Sequence, residues 1–304
     1  MPAQSPRGVL APILTPFNDD LTIAEDLFIA HAETLLEQGC VALAPFGTTG
    51  EALSIGLEER LAALKALIAA GIDPARLVPG TGLNALGETA ALSRACLDLG
   101  CAGVMTLPPF FYKGVAEEGL YAYFARLVER IGLPSFRLYL YHIPQVAGVG
   151  LPPALVRRLF ADFPEAIVGI KDSSGDWENT QALLAIEGLT VYPGSEAFLL
   201  EGLKLGGAGC ITATANLNAA GLSRVVERFD AGDAAGAAAA HAAAMPIRRL
   251  IETSGNIHAQ KRLLALARKE PRWALLRPPL LPYPEVEGRA LADRLSEECG
   301  FRVA

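Results

Sequence analysis

Eight short runs of apolar and β-branched residues, spread evenly from residue 9 to residue 215, constrain the fold of this chain more than any other feature. They are Val9 to Thr15, Cys40 to Phe46, Leu77 to Gly82, Gly103 to Leu107, Arg137 to His142, Ala166 to Lys171, Thr190 to Pro193 and Gly209 to Ala215. Each except the last leads into a residue pattern of helical period, the signature of parallel strands joined by helical crossovers. Eight such units predict an α/β protein, a (β/α)8 TIM barrel. An open doubly wound sheet would show fewer strands and a GxGxxG turn after the first, and no such turn follows Thr15.

Beyond Ala215 helical patterns continue over Leu222 to Phe229, around Gly232 to Met245, and over Ile257 to Lys269 and Gly288 to Cys299. The expected organisation is a barrel over residues 1–220 with an additional C-terminal helical extension, residues 221–304, packed on it. The alanine-rich stretch from Ala234 to Ala244 suits a closely packed helix better than a linker. Arg277 to Pro284 reads as a surface connection. Leu205-Gly-Gly-Ala-Gly209 precedes the last strand, so it reads as a tight helix-to-strand turn rather than a phosphate loop at the working end of a barrel.

At 304 residues, with 51% hydrophobic and 19% charged residues, the chain can bury a large core. Its net charge of -7 and lack of any Lys/Arg cluster argue against nucleic acid or an anionic membrane as partner. No apolar stretch is long enough to span a bilayer, and Met1-Pro-Ala-Gln-Ser-Pro-Arg7 lacks a signal-peptide pattern, so a cytoplasmic protein is expected. Cys40, Cys96, Cys101, Cys210 and Cys299 are odd in number and show no CxxC spacing, which predicts buried thiols without disulfides. His31, His142, His241 and His258 form no HxH or HExxH pattern, so a metal-dependent class II aldolase is excluded and no metal is expected.

In a (β/α)8 barrel the working groups stand at the C-terminal ends of the strands. Lys171 ends the apolar run Ala166-Ile-Val-Gly-Ile-Lys171 and is followed by Asp172-Ser-Ser-Gly-Asp176, a turn-and-cap string. Burial disfavours the charged form of a lysine, and an uncharged amine can attack a ketone to give a Schiff base. Strand alternation puts Gly169 on the same side as Lys171, where it is expected to leave space beside the amine. The second strand runs into Phe46-Gly-Thr-Thr-Gly-Glu51, whose glycines let backbone N–H groups and the Thr48 and Thr49 hydroxyls close on a small anion such as a carboxylate. In the fifth run alternation places Tyr139 and Tyr141 on one face, Tyr141 nearer the mouth; His142 is turned away and expected to be structural.

Each residue has a plain alternative: a strand-end lysine facing solvent, a packed core tyrosine, an ordinary turn. Together an amine, a phenol and paired hydroxyls supply a nucleophile, a proton carrier and an acceptor site for a keto acid.

Gly47-Thr-Thr-Gly-Glu51, Tyr141-His-Ile-Pro144, Gly169-Ile-Lys-Asp-Ser173 and Ile211-Thr-Ala-Thr-Ala-Asn216 resemble the dihydrodipicolinate synthase and N-acetylneuraminate lyase family, over essentially the whole chain. The resemblance implies a barrel with extra C-terminal helices, usually a homotetramer, and class I aldolase chemistry on pyruvate or another 2-oxo acid, without cofactor. It implies that Lys171 forms the Schiff base, Tyr141 moves protons, Thr48 relays to Tyr141, and Thr49 in the Gly47 turn helps hold the substrate carboxylate. Gly194 and Ile211 match positions that line the pocket.

Two positions depart from the synthases of this family. Where they have an arginine two places after the proline of Tyr-x-x-Pro, this chain has Val146, and a valine cannot replace a bidentate guanidinium. Where they carry a tyrosine contributed across a subunit interface, this chain has Phe111, with Tyr112 one place off. Leu57 and Arg60 stand where histidines of the lysine-inhibition site are often found. These departures favour an aldolase or lyase that cleaves a 2-oxo acid, such as a 2-keto-3-deoxy sugar acid or a 4-hydroxy-2-oxo acid, to pyruvate and an aldehyde. Glu196 is a candidate for holding a substrate hydroxyl or, alternatively, a solvated cap on the following helix. The other readings are 4-hydroxy-tetrahydrodipicolinate synthase, a 2-oxo acid dehydratase, and a catalytically silent barrel that binds a keto acid.

Overall fold

Seven of the eight apolar runs form strands: β1 (Gly8–Ala11), β2 (Ala42–Leu43), β3 (Val104–Thr106), β4 (Leu138–His142), β5 (Ile167–Asp172), β6 (Thr190–Pro193) and β7 (Gly209–Ile211). The exception is Leu77 to Gly82, which pairs through an isolated parallel bridge between Gly80 and Met105. Pro79 has no N–H to give, so the ladder stops there, although its carbonyl accepts from the Met105 N–H at 2.9 Å and the Thr81 N–H donates to the Met105 carbonyl at 2.9 Å. The helices are α1 (Glu25–Glu37), α2 (Leu57–Ala69), α3 (Leu86–Asp98), α4 (Glu117–Ile131), α5 (Pro144–Ala147), α6 (Pro153–Asp162), α7 (Trp177–Leu184), α8 (Leu199–Lys204), α9 (Ala215–Asp230), α10 (Ala234–Thr253), α11 (Ile257–Arg268) and α12 (Glu285–Cys299).

The computed structural model describes residues 5–134 and 136–303. Met1 to Gln4, part of the amino-terminal string read for a signal pattern, lie outside the described residues. The chain divides into two units, one of residues 1–7 and 73–211, the other of residues 8–72 and 212–304.

The first unit carries β3 to β7 and α3 to α8. Its sheet runs β3-β4-β5-β6, all parallel, with Tyr139 opposite Gly169, Tyr141 opposite Lys171 and His142 opposite Asp172. Every residue of β4 is buried, as expected for a parallel strand covered on both faces. The space left by Gly169 does not lie open beside the amine. A Cβ there would meet the Tyr139 ring at 2.9 Å and crowd the Thr190 carbonyl, so the glycine admits a neighbouring strand and a tyrosine. Gly206, at φ +87°, and Gly207, whose N–H reaches the Gly202 carbonyl at 2.8 Å, make the tight turn from α8 to β7.

The second unit carries β1, β2, α1, α2 and α9 to α12. Leu14, Leu217, Ile251, Leu264, Trp273 and Leu295 belong to one apolar core. The alanine-rich segment is helical throughout, and the Asp233 carboxylate caps it by accepting the Gly236 N–H at 2.8 Å. Asn216 shows why its motif is specific. Its Oδ1 accepts the Leu14 N–H at 2.9 Å and faces His31 Nε2 at 3.1 Å, while its Nδ2 donates to the Pro12 and Ala213 carbonyls.

Arg268 Nη2 donates to His31 Nδ1 at 3.1 Å, so in the neutral ring the proton sits on Nε2 and points at Asn216. Burial first, and the Arg268 charge second, push the His31 pKa down from 6.5 to about 3. A depressed histidine pKa contributes stability above pH 6.5 that is lost as the pH falls toward 3, at up to about 1.4 kcal/mol per pH unit. Melting temperatures are therefore expected to fall between pH 7 and pH 4, and the fall should be shallower in His31→Gln, which keeps an amide donor; equal slopes would exclude His31 as the source.

Among the described residues none of the five cysteines is in a disulfide; Cys299 is half-buried and the other four are buried. No helix among the described residues is long and apolar enough to cross a membrane.

Candidate active site

Two parallel strands of nearly equal reach put Tyr141 and Lys171 side by side at the ends of β4 and β5. Lys171 is 4% exposed and Tyr141 3%, so the alternative of a lysine in bulk water is removed. Lys171 Nζ lies 3.3 Å from Tyr141 Oη and 4.4 Å from the centroid of the same ring. The amine and the phenol are within a single hydrogen bond of each other.

The next residue on each strand faces away and is structural. Asp172 accepts the Ser174 N–H at 3.0 Å and the Thr180 hydroxyl at 2.6 Å, which anchors the string that begins α7. Asp176 caps that helix by accepting the Glu178 N–H at 2.9 Å. His142 Nδ1 accepts the Leu151 N–H at 2.7 Å, and burial lowers its pKa against the opposing Asp172 charge, as expected of a packing residue.

Gly194 follows β6, and its N–H donates to the Asp172 carbonyl at 2.6 Å; the Ser173 side chain fills the place where a Cβ would stand. Ile211 is the last residue of β7 and is buried. Glu196 is not a solvated cap. Ser195 Oγ takes that role by accepting the Ala197 N–H at 3.1 Å, and Glu196 is buried at 1% exposure.

In the second unit Gly47 to Glu51 form a tight turn in which the Gly50 and Ala52 N–H groups return to the Gly47 carbonyl at 3.1 and 3.2 Å. Thr49 is buried and Thr48 half-buried. Phe46 and Glu51, which bracket the turn, are left-handed at φ 59° and 55°, a conformation costing a non-glycine residue about 1–2 kcal/mol. Gly50 is required by close approach, since a Cβ would stand 2.8 Å from the Ile13 carbonyl oxygen. Arg60 is buried beneath the following segment, donating from Nε to the Ile55 carbonyl at 3.1 Å and from Nη2 to that of Ala52.

Sequence reasoning missed Lys261. Its Nζ donates to Glu51 Oε1 at 2.5 Å and to the Thr15 carbonyl at 2.8 Å, with both charged side chains fully buried. Burial lowers the Lys261 pKa from 10.5 to about 8, with Glu51 opposing. The signal was present: Ile257, Lys261 and Leu264 fall at i, i+4 and i+7, on one helical stripe that is otherwise apolar. Arg277 is likewise more than part of a surface connection. It gives its N–H to Glu51 Oε2 at 3.1 Å and forks onto Glu59 at 2.5 and 2.9 Å.

Phe111 and Tyr112 are 72% and 73% exposed, on a loop held by Asn84 Oδ1, which accepts the Phe110 and Phe111 N–H groups. Val146, on α5, is 59% exposed. No three His, Cys, Asp or Glu side chains among the described residues form a group that could hold a metal ion.

Parallel strands with helical crossovers, ending in a buried amine beside a phenol, define a class: barrel enzymes whose chemistry sits at strand ends. The sequence model of the Dihydrodipicolinate synthetase family matches residues 5–298. An uncharacterised DapA-like lyase from Chloroflexus aurantiacus is 36% identical over 94% of this chain and 95% of its own. The 4-hydroxy-tetrahydrodipicolinate synthase of Thermus thermophilus is 35% identical over 97% of each. Among solved structures, YagE of E. coli K12, a member of the dihydrodipicolinic acid synthase family in complex with pyruvate, superposes with a TM-score of 0.87 at 27% identity, covering 96% of this chain and 98% of that one. The chain belongs to the dihydrodipicolinate synthetase family. Its fold class is the (β/α)8 barrel with additional C-terminal helices, and it is a lyase, a class I aldolase acting on a 2-oxo acid.

Proposed function

We propose that Lys171 is the Schiff-base lysine and that the physiological reaction is cleavage of a 2-oxo acid aldol to pyruvate and an aldehyde. The observation that carries this reading is the buried Lys171 Nζ at 3.3 Å from Tyr141 Oη. The amine adds to the C2 carbonyl, and the carbinolamine hydroxyl leaves as water with the proton of the Tyr141 phenol, giving an iminium beside a phenolate. The C3–C4 bond then breaks, its electron pair passing into the iminium to form an enamine, while the proton of the C4 hydroxyl passes to Tyr141 oxygen and the aldehyde departs. Protonation of the enamine at C3 and hydrolysis release pyruvate and the lysine.

Thr48 and Thr49 take the roles the resemblance implies, proton relay and carboxylate holder, with Gly47 part of the same turn. Gly194 and Ile211 are proposed to line the pocket, and Glu196 to hold a hydroxyl of the aldehyde portion. The exposed Val146 and the hydroxyl-free Phe111 favour cleavage of a hydroxy or deoxy sugar acid over condensation with aspartate semialdehyde. A cytoplasmic homotetramer is proposed from the same family likeness, and light scattering of the purified protein tests the oligomer.

Borohydride reduction with pyruvate is expected to leave the mass increment of a reduced pyruvyl group on the peptide containing Lys171. A panel of 2-oxo acids read by pyruvate release is expected to respond to deoxy sugar acids or 4-hydroxy-2-oxo acids. Consumption of aspartate semialdehyde with pyruvate would transfer the chain to the synthases, water loss without aldehyde to the dehydratases, and an adduct without turnover on any substrate to keto-acid binders. No adduct with any 2-oxo acid would end the Schiff-base reading.

A further inference from the structure

The turn from Gly47 to Gly50 is short, and both residues that bracket it are left-handed without being glycine. Such a conformation persists where the surroundings over-determine it. Glu51 is held from two sides: Lys261 Nζ on Oε1 at 2.5 Å and the Arg277 N–H on Oε2 at 3.1 Å. The same ammonium holds the Thr15 carbonyl at 2.8 Å, and the Thr15 hydroxyl donates to the Gly50 carbonyl at 2.8 Å. One cation on α11 thus grips the turn twice, through the Glu51 carboxylate directly and through Thr15 onto Gly50. Phe17 closes the cluster, its ring centroid 4.4 Å from Lys261 Nζ and 4.8 Å from the Arg277 guanidinium carbon.

A buried ion pair is weak evidence of stability, because an apolar pair often does as well. Its use here is geometric: a carboxylate with two fixed donors sets the direction in which the backbone leaves the turn. We infer that Glu51, Lys261 and Thr15 are positioning residues that hold the Gly47–Gly50 turn in the conformation that receives the carboxylate of the 2-oxo acid. This rests on the Schiff-base reading and on the carboxylate role proposed for Thr49. The three residues act through the turn and touch no substrate atom.

The experiment is borohydride trapping across a pyruvate series in the full chain, the adduct quantified by mass spectrometry, on wild type, Glu51→Gln, Thr15→Val, Thr15→Ser and Leu295→Ala. Glu51→Gln removes the charge at constant shape, and Thr15→Val removes the hydroxyl at nearly constant volume. Leu295→Ala destabilises the C-terminal core at a distance and serves as the control for instability. In Glu51→Gln and Thr15→Val the half-saturating pyruvate concentration is expected to rise roughly tenfold, with the maximal adduct unchanged. Thr15→Ser, which keeps the hydroxyl, and Leu295→Ala are expected to stay at the wild-type concentration.

Should Glu51→Gln fail to fold, Thr15→Val and its serine rescue decide alone. Unchanged half-saturation in the variants, or an equal rise in Leu295→Ala, overturns the inference while the wild-type adduct leaves the Schiff-base reading intact. Absence of the wild-type adduct overturns both.

Discussion

Lys171→Arg is expected to form no reducible adduct and to lower kcat/KM by about four orders of magnitude or more. Arginine keeps a long stem and a positive charge, but its guanidinium does not give up a proton at working pH and cannot serve as the amine nucleophile. The substitution therefore separates bond formation at Nζ from simple attraction of a carboxylate by charge. Tyr141→Phe completes the comparison, because it keeps the ring 4.4 Å from Lys171 Nζ and deletes only the hydroxyl 3.3 Å away. Adduct should still accumulate on long incubation, while turnover falls roughly 10²- to 10⁴-fold with the loss of the proton carrier. Steady-state kinetics and trapping on the same preparations check both, and a Lys171→Arg enzyme retaining more than about one part in a hundred of wild-type turnover would remove the lysine from the mechanism.

The strand-end placement of Lys171 and Tyr141 was legible because it obeys local rules. A lysine closing an apolar run, followed at once by capping residues, can be read as a strand end from the sequence, and period-two alternation places Tyr141 on the working face and His142 behind it. The third strand position, Leu77 to Gly82, was legible as a run but not as a ladder, because one proline removes a donor that composition does not weigh. For Glu196 the sequence left two readings open, a substrate hydroxyl or a solvated cap, for a related reason. Ser195 and Glu196 both suit the start of a short helix, and only the Ser195 Oγ contact to the Ala197 N–H shows which of them caps it.

Gly169 failed differently. Small residues signal space in a sequence, but the space is spoken for when a parallel neighbour brings Thr190 and Tyr139 against it. Lys261 was the least legible of all. It stands 210 positions from Glu51 in the chain, on a helix where a lysine is ordinarily solvated, and only its place on the apolar stripe with Ile257 and Leu264 hinted at burial. Long-range polar pairing leaves little local trace, whereas strand periodicity and capping are written within a few residues.

Lys261→Met is expected to cost about 3–5 kcal/mol, because removing one partner of a buried pair leaves the other charge uncompensated. Methionine approximates the unbranched stem, so the loss is chiefly electrostatic rather than a cavity. Glu51 then keeps the Arg277 N–H as its donor among the described residues, and the Thr15 carbonyl loses the ammonium. For a chain of this size the loss corresponds to a melting temperature lower by roughly 5–8 °C. Adding Glu51→Gln to Lys261→Met should return part of that loss, since no charge is then left buried without a counter-ion. The double-mutant cycle measures the coupling, and simple addition of the two single losses would show that the charges do not stabilise one another in the folded protein.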